Sequence, residues 1–257
     1  MSNKKFNIAV LIDGDNAQAK LIKEIIEEVS KYGKATIRRI YGDWTKSQMN
    51  SWKDIINKYS VNPVQKFSYT TGKNSTDSSI IIDAMDVLHS GAVEGFCIVS
   101  SDSDYTGLAK RIREEGLFVM GIGKRTTPIA FVNSCEVFTY TENLVENEPE
   151  ALKDKNETKK VIKTAKKNPA SKSTAVKDTL KPEIDISLID KAFDISTNED
   201  EEAYISNVGF ALRKIDPSFD PRTYGFKTLT QLFESIPKYK IVKNEVNGLS
   251  HPILKLK

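Results

Sequence analysis

Cysteine, histidine and long apolar runs are all scarce in this 257-residue chain, and each scarcity excludes something. The 2 cysteines, Cys97 and Cys135, both lie in apolar strand-like runs. A disulfide-stapled secreted scaffold is therefore not expected. Buried free thiols in a reducing compartment are, with the cytoplasm as the default location. The 2 histidines read as structural: His89 closes a helical pattern and His251 precedes Pro252. Unbroken apolar stretches reach only five or six residues, far short of the ~18 that a spanning helix needs. Met1 to Asn7 leads straight into Ile8-Ala-Val-Leu-Ile-Asp13, so neither a membrane span nor a cleavable leader is expected. Net charge is small too, at +3, but it averages over unlike segments.

Split by segment, residues 1–145 carry 18 basic and 17 acidic groups, 146–183 carry 10 and 7, and 184–257 carry 10 and 11. The middle segment stands apart. Ala151 to Lys181 holds ten lysines and three acids, with no aromatic and no glycine. Such a stretch cannot bury enough apolar surface to offset its ordering entropy, and is expected to be a disordered Lys-rich linker. The expected organisation is thus a first domain over 1–145, a linker over 146–183 and a second domain over 184–257. No internal repeat is present.

In the first domain, short β-branched runs alternate with helical spacing. Strands are expected at Ile8 to Ile12, Thr36 to Tyr41, Val61 to Phe67, Gly95 to Ser100, Leu117 to Ile122 and Glu136 to Tyr140. Helices are expected around Leu21 to Val29, Lys46 to Lys58, Thr76 to His89 and Tyr105 to Glu115, with a short one near Pro128. That alternation implies right-handed βαβ crossovers, hence an α/β fold with a mostly parallel sheet covered on both faces. Ligands bind such sheets beyond the carboxyl ends of the strands.

Acidic residues fall at those ends. Asp13 directly follows the first strand, Asp102 and Asp104 follow Phe96-Cys-Ile-Val-Ser100, and Asp77 stands in the first turn of the helix after Thr70-Thr-Gly-Lys-Asn-Ser75. Singly, each reads equally well as a helix cap or a dipole partner. Together on one edge they would repel and raise one another's pKa unless a cation compensated them. An all-oxygen set suits Mg²⁺ or Mn²⁺ better than zinc. Neither Asp-rich loop is an EF-hand: Ala17 stands where the first loop needs an oxygen ligand, and Arg113 where the second needs a bidentate acid. Asp13-Gly-Asp15 is also compatible with a dehalogenase-type phosphatase, with Asp13 as nucleophile and Asp15 as acid, although Ala17 departs from that pattern.

The motifs Ile-Asp13-Gly-Asp-Asn16, Lys73-Asn-Ser-Thr-Asp77-Ser-Ser-Ile-Ile-Ile-Asp83-Ala-Met-Asp86, Val-Ser-Ser-Asp102-Ser-Asp104-Tyr and Val119-Met-Gly-Ile-Gly-Lys124 occur in order over about 135 residues. In this order and spacing they resemble the NYN-domain proteins of the LabA-like branch, relatives of PIN-domain ribonucleases. The resemblance implies a three-layer αβα sandwich whose acidic edge binds Mg²⁺ or Mn²⁺ and hydrolyses RNA phosphodiesters. It casts Asp13, Asp77, Asp102 and Asp104 as metal-binding acids and Asn16 as a polar neighbour orienting water, metal or phosphate. Ser101 departs from the Gly that many relatives carry. Independently of the resemblance, carboxylate-held metal ions supply what phosphodiester hydrolysis needs without a protein nucleophile. Asp83 lies six residues after Asp77, roughly 240° round the helix, and is expected in a cap, salt bridge or oligomer contact. Lys73, Lys124 and Arg125 are candidate phosphate contacts or ordinary solvated bases. Trp52 reads as core, and Tyr41 and Trp44 as weak site candidates.

After Ile184 an apolar pattern returns, with helices at Ile186 to Phe193, from the capping pattern Asn198-Glu-Asp-Glu201 through Ile215, and at Lys227 to Ser235, then a hairpin over Tyr239 to Lys257. This reads as a winged helix-turn-helix. Leu212-Arg-Lys-Ile-Asp-Pro-Ser-Phe-Asp-Pro-Arg-Thr-Tyr-Gly-Phe-Lys-Thr-Leu-Thr-Gln-Leu-Phe-Glu is similar to the core of OST-HTH (LOTUS) domains, which implies binding of RNA, in some members structured or G-rich, and in others of protein partners. Residues 184–202 hold seven acids and one base, whereas 203–257 hold nine bases and four acids. Arg213, Arg222, Lys227, Lys238, Lys240 and Lys243 are therefore candidate RNA contacts. The combined expectation is a metal-dependent ribonuclease with an accessory RNA-binding domain, no membrane partner and self-association left open. The alternatives are a non-catalytic RNA-binding scaffold and, further off, the phosphatase.

Overall fold

Alternation along the first strand sets the layers. In the computed structural model, which describes residues 6–67, 75–145, 182–198, 201–246 and 249–257, strand β1 spans Asn7–Asp13. Ile8, Val10 and Ile12 face one core, shared with Ile22, Ile25 and Val29 of helix α1 (Ile22–Ser30). Ala9 and Leu11 face the other, shared with Ile80, Ala84, Val87 and Leu88 of α3 (Ser75–Ser90) and Leu108, Ala109 and Ile112 of α4 (Thr106–Glu114). A strand buried on both faces must be apolar at every position, which is why β1 reads as an unbroken run.

The remaining strands are β2 (Lys34–Gly42), β3 (Asn62–Gln65), β4 (Gly95–Val99), β5 (Phe118–Gly123) and β6 (Val137–Tyr140). Their order is β3-β2-β1-β4-β5-β6, with every neighbouring pair parallel. The chain winds outward from β1 in one direction and from β4 in the other. Connections leaving β1 and β4 therefore diverge, and a crevice opens beyond their carboxyl ends. Edge positions suit their residues: Pro63, which cannot donate to a ladder, lies in edge strand β3. The short helix near Pro128 is α5 (Ile129–Val132). Cys97 and Cys135 are both buried free thiols.

Two sequence expectations need correction. The helix expected over 46–58 is a 3-10 segment, Ser47–Trp52, followed by α2, Lys53–Tyr59. Three-residue turns place Met49 and Trp52 on one side, where both are buried and the Trp52 indole N–H donates to Gly14 O at 3.2 Å. The second correction is in the C-terminal domain. Asn198 caps no helix; its side-chain oxygen accepts from Glu202 N at 2.9 Å, and Glu201 adopts φ 56° in a tight turn. That turn feeds β7 (Glu202–Tyr204), so α7 begins only at Ile205 and ends at Ile215. Pairing of Ala203 with Leu254, both buried, outcompetes the local capping pattern.

The C-terminal domain otherwise follows expectation, with α6 (Ile186–Ser196), α8 (Leu229–Glu234), β8 (Tyr239–Val242), a small ribbon of β9 (Glu245–Val246) and β10 (Leu249–Ser250), and β11 (Ile253–Leu256). An antiparallel sheet in the order β7-β11-β8 closes over Phe193, Val208, Leu212, Leu232 and Phe233. Most of the expected linker, residues 146–181, lies outside the described residues. No helix among the described residues is long and apolar enough to cross a membrane.

Close approach of β5 to β6 yields a direct test. A Cβ added at Gly121 would lie 2.4 Å from Phe138 Cδ2 and 2.9 Å from Cys135 Sγ. Gly121→Ala is expected to destabilise the domain by about 1–3 kcal/mol through overpacking, read as a lower urea midpoint. An unchanged midpoint would refute that packing.

Candidate metal centre

The crevice between β1 and β4 collects carboxylates. Asp77 enters from the first turn of α3, while Asp102 and Asp104 come from the loop and 3-10 turn (Ser103–Tyr105) after β4. One oxygen from each of these three lies within 4.8 Å of the other two. Asp102 also caps its own turn, its Oδ1 accepting from Asp104 N at 3.0 Å. The cap leaves Asp102 with acceptor capacity to spare, since a carboxylate has more than one N–H uses.

Asp13 is set apart from this trio. It shares the strand face of Ala9 and Leu11, and only 4% of it is exposed. Its Oδ2 accepts from Ser100 Oγ at 3.0 Å, with Tyr105 OH at 3.5 Å, and its Oδ1 accepts from Asp15 N at 3.2 Å. Burial pushes its pKa up to about 6; the Ser100 hydrogen bond works against this, and the Asp77 and Asp15 charges add to it. Tyr105 OH donates to Asp77 Oδ1 at 2.7 Å. One buried phenol therefore stands between Asp13 and the trio, its own pKa pushed far up by burial and by those carboxylates.

Other sequence candidates fall into distinct places. Asn16 Oδ1 accepts from Ser101 N at 3.3 Å, and Ser101 Oγ accepts from Lys124 N at 2.8 Å, so both serve to tie the loops after β1, β4 and β5 together. Ser101, the departure from the family Gly, thus acquires a hydrogen bond that Gly could not make. Lys124 and Arg125 are exposed beside this junction; Arg125 lies over the Tyr140 ring and donates to Asn143 Oδ1 at 3.3 Å. Lys73 lies outside the described residues. Asp83 is bound by Arg39 and Tyr41, a structural bridge between α3 and β2, and Asp15 accepts from Gln48 Nε2 at 2.6 Å. His89 bonds Met85 O at 2.7 Å as a helix-end group.

In the C-terminal domain, Lys227, Lys240 and Lys243 are exposed and Arg213 is half-buried. Lys238 pairs with Asp190 at 2.7 Å. Arg222 is committed elsewhere, its guanidinium being held by Asp220 and by Glu28 of the other domain. Sequence reasoning passed over Ser100 and Tyr105. The available signal was alternation: Ser100 shares the face of Ile98 and Phe96, and hence of Asp13.

Family comparison agrees with this geometry. The NYN domain model matches residues 7–144, and the chain belongs to that family. An OST-HTH/LOTUS domain matches residues 180–251. NYN domains are generally nucleases and OST-HTH/LOTUS domains bind RNA. No curated protein matches the chain. Among solved structures, a protein of unknown function from Vibrio parahaemolyticus is similar at 18% identity and TM-score 0.48, covering 56% of this chain and 98% of its own. An uncharacterised protein from Nitrosomonas europaea is similar at 24% identity and TM-score 0.28, covering 37% of this chain and 92% of its own.

The raised pKa of Asp13 has a signed consequence. Its folded value of about 6 exceeds the ordinary 3.8, so the folded state is favoured while the carboxyl keeps its proton and loses that advantage as pH rises through about 6. In EDTA, Asp13→Asn is expected to stabilise the protein at pH 8 by up to roughly 3 kcal/mol, two pKa units' worth, with no gain below pH 4. Urea denaturation at both pH values checks this; a pH-independent difference would refute a desolvated carboxylate.

Proposed function

We propose that the protein is a Mg²⁺- or Mn²⁺-dependent ribonuclease whose winged domain holds the RNA. The observation that carries this reading is the convergence of Asp77, Asp102 and Asp104 at the switch point of a parallel sheet in an NYN domain. The donor set fits a hard divalent ion, being three carboxylates with no thiolate and no imidazole. Such an ion, when bound, supplies charge neutralisation at the phosphate and an activated water. Asp77, Asp102 and Asp104 hold it. Tyr105 fixes the rotamer of Asp77 through its 2.7 Å hydrogen bond, and Ser100 fixes Asp13. Asn16 and Ser101 hold the loop that carries Asp102 and Asp104.

Asp13 supports the trio from behind: its negative charge adds to the pull on a cation, and binding of that cation would lower the carboxyl's raised pKa. The phosphatase reading needs Asp13 as an open nucleophile, and its burial with both oxygens hydrogen-bonded speaks against that role. The scaffold reading is separated from the nuclease by turnover alone.

Two outcomes are expected. Asp102→Asn lowers cleavage of single-stranded RNA at least about 100-fold while RNA binding persists, as loss of a metal ligand requires. Activity that survives in this variant or in EDTA would overturn the metal mechanism. Tyr105→Phe weakens Mn²⁺ binding about 10-fold or more by calorimetry, since it releases a ligand-orienting hydrogen bond; unchanged Mn²⁺ affinity would remove Tyr105 from the site.

A further inference from the structure

The nuclease and winged domains meet along α1 and β6. Glu28, on α1, is only 5% exposed, and its two oxygens receive both terminal nitrogens of Arg222 at 3.0 Å each, with Lys31 Nζ at 2.7 Å. Asp220 holds the same guanidinium from its own domain. The edge of β6 is closed by the winged domain as well: Phe138 N–H donates to Pro217 O at 2.8 Å. Farther along, Asn143 Nδ2 donates to Thr223 Oγ1 at 2.9 Å. A carboxylate buried against a guanidinium of another domain is costly to separate, so these contacts specify one docked arrangement.

Docking encloses a cleft of about 230 Å³ with Lys31 and Tyr32 on one wall and Arg213, Arg222 and Lys227 on the other. Its two acids, Glu28 and Asp220, are already neutralised by Arg222 and Lys31. Arg213 and Lys227 make no ion pair among the described residues and leave the cleft positive. Tyr32 offers an aromatic wall, its ring stacked on Phe118 at 5.5 Å. Outside the cleft, the docked domain is also tied to the loops after β5 and β6, Thr223 to Asn143 and Asn143 to Arg125.

We propose that this interdomain cleft is a composite binding site for the sugar-phosphate backbone of RNA, in which Arg213 and Lys227 contact phosphates and Arg222 locks the two walls together. The proposal rests on the RNA-binding part of the function proposed above and on no step of the cleavage reaction. It divides the winged domain's bases by role: Arg222 faces the other domain so that Arg213 and Lys227 can face the substrate.

The test measures binding of a single-stranded RNA to the full chain by fluorescence anisotropy, in EDTA and across a salt series. The pair Arg213→Gln with Lys227→Gln is expected to weaken binding about 10-fold and to flatten the log–log salt slope by roughly 1.4, the value for two lost single-strand phosphate contacts. Glu28→Lys and Arg222→Gln, which release the lock from opposite sides, are expected to speed amide exchange at Phe138 and to weaken RNA binding together. Unchanged thermal unfolding of the nuclease domain in Arg222→Gln separates undocking from misfolding. RNA binding that ignores all of these variants overturns the cleft alone. Cleft-dependent binding without cleavage supports it and overturns only the nuclease reading, and a chain that binds no RNA overturns both. Displacement of the RNA by micromolar AMP would overturn the backbone site in favour of a mononucleotide pocket; indifference to millimolar AMP supports the backbone.

Discussion

Mutual repulsion among the carboxylates beyond β1 and β4 is the constraint around which the NYN domain is arranged. Asp13, Asp77, Asp102 and Asp104 approach one another because a parallel sheet aligns the carboxyl ends of its strands and reverses its winding between β1 and β4. Held without a counter-ion, such a set is unfavourable, and the fold offsets the cost locally. Ser100, Tyr105 and two backbone N–H groups donate into the cluster, and burial pushes the Asp13 carboxyl up to about 6. A cation placed among these carboxylates would relieve their repulsion.

The same electrostatic logic, with signs exchanged, operates where the domains meet. Arg222 is flanked by Glu28 and Asp220, which hold its charge on far beyond the ordinary range despite burial. With Arg222 and Lys31 taken up by these two acids, Arg213 and Lys227 make no ion pair among the described residues. Near-neutral composition therefore conceals an acidic edge and a basic cleft. Charge of each sign is sorted by position in the fold, not by net composition.

Much of the fold was legible because periodicity is local. The doubly buried β1, the amphipathic α1 and the helix from Ser75 to Ser90 follow from spacing alone. Where local and long-range terms disagreed, the long-range term won: Asn198 and Glu201 read as a cap but form a turn, because Ala203 pairs with Leu254 across the small sheet. The segment after β2 read as one helix but tightened into a 3-10 turn, because Trp52 and Met49 must both fit beneath Gly14 and Gly42.

The carboxylates of this edge could be read from the sequence because each follows a strand or opens a helix, and strand direction alone carries them to one edge. Their partners could not. Asp13 is buried beside the Tyr105 phenol, and Tyr105 reaches both Asp13 and Asp77 only once α4 packs on the sheet. Arg222 read as a solvent-facing base, and its partner Glu28 stands 194 residues away. Residue identity and spacing settle which positions carry charge and the periodicity of most elements of the first domain. Tertiary structure alone decided which charges meet, since a contact across that separation leaves no periodic trace and is set by the packing of two domains.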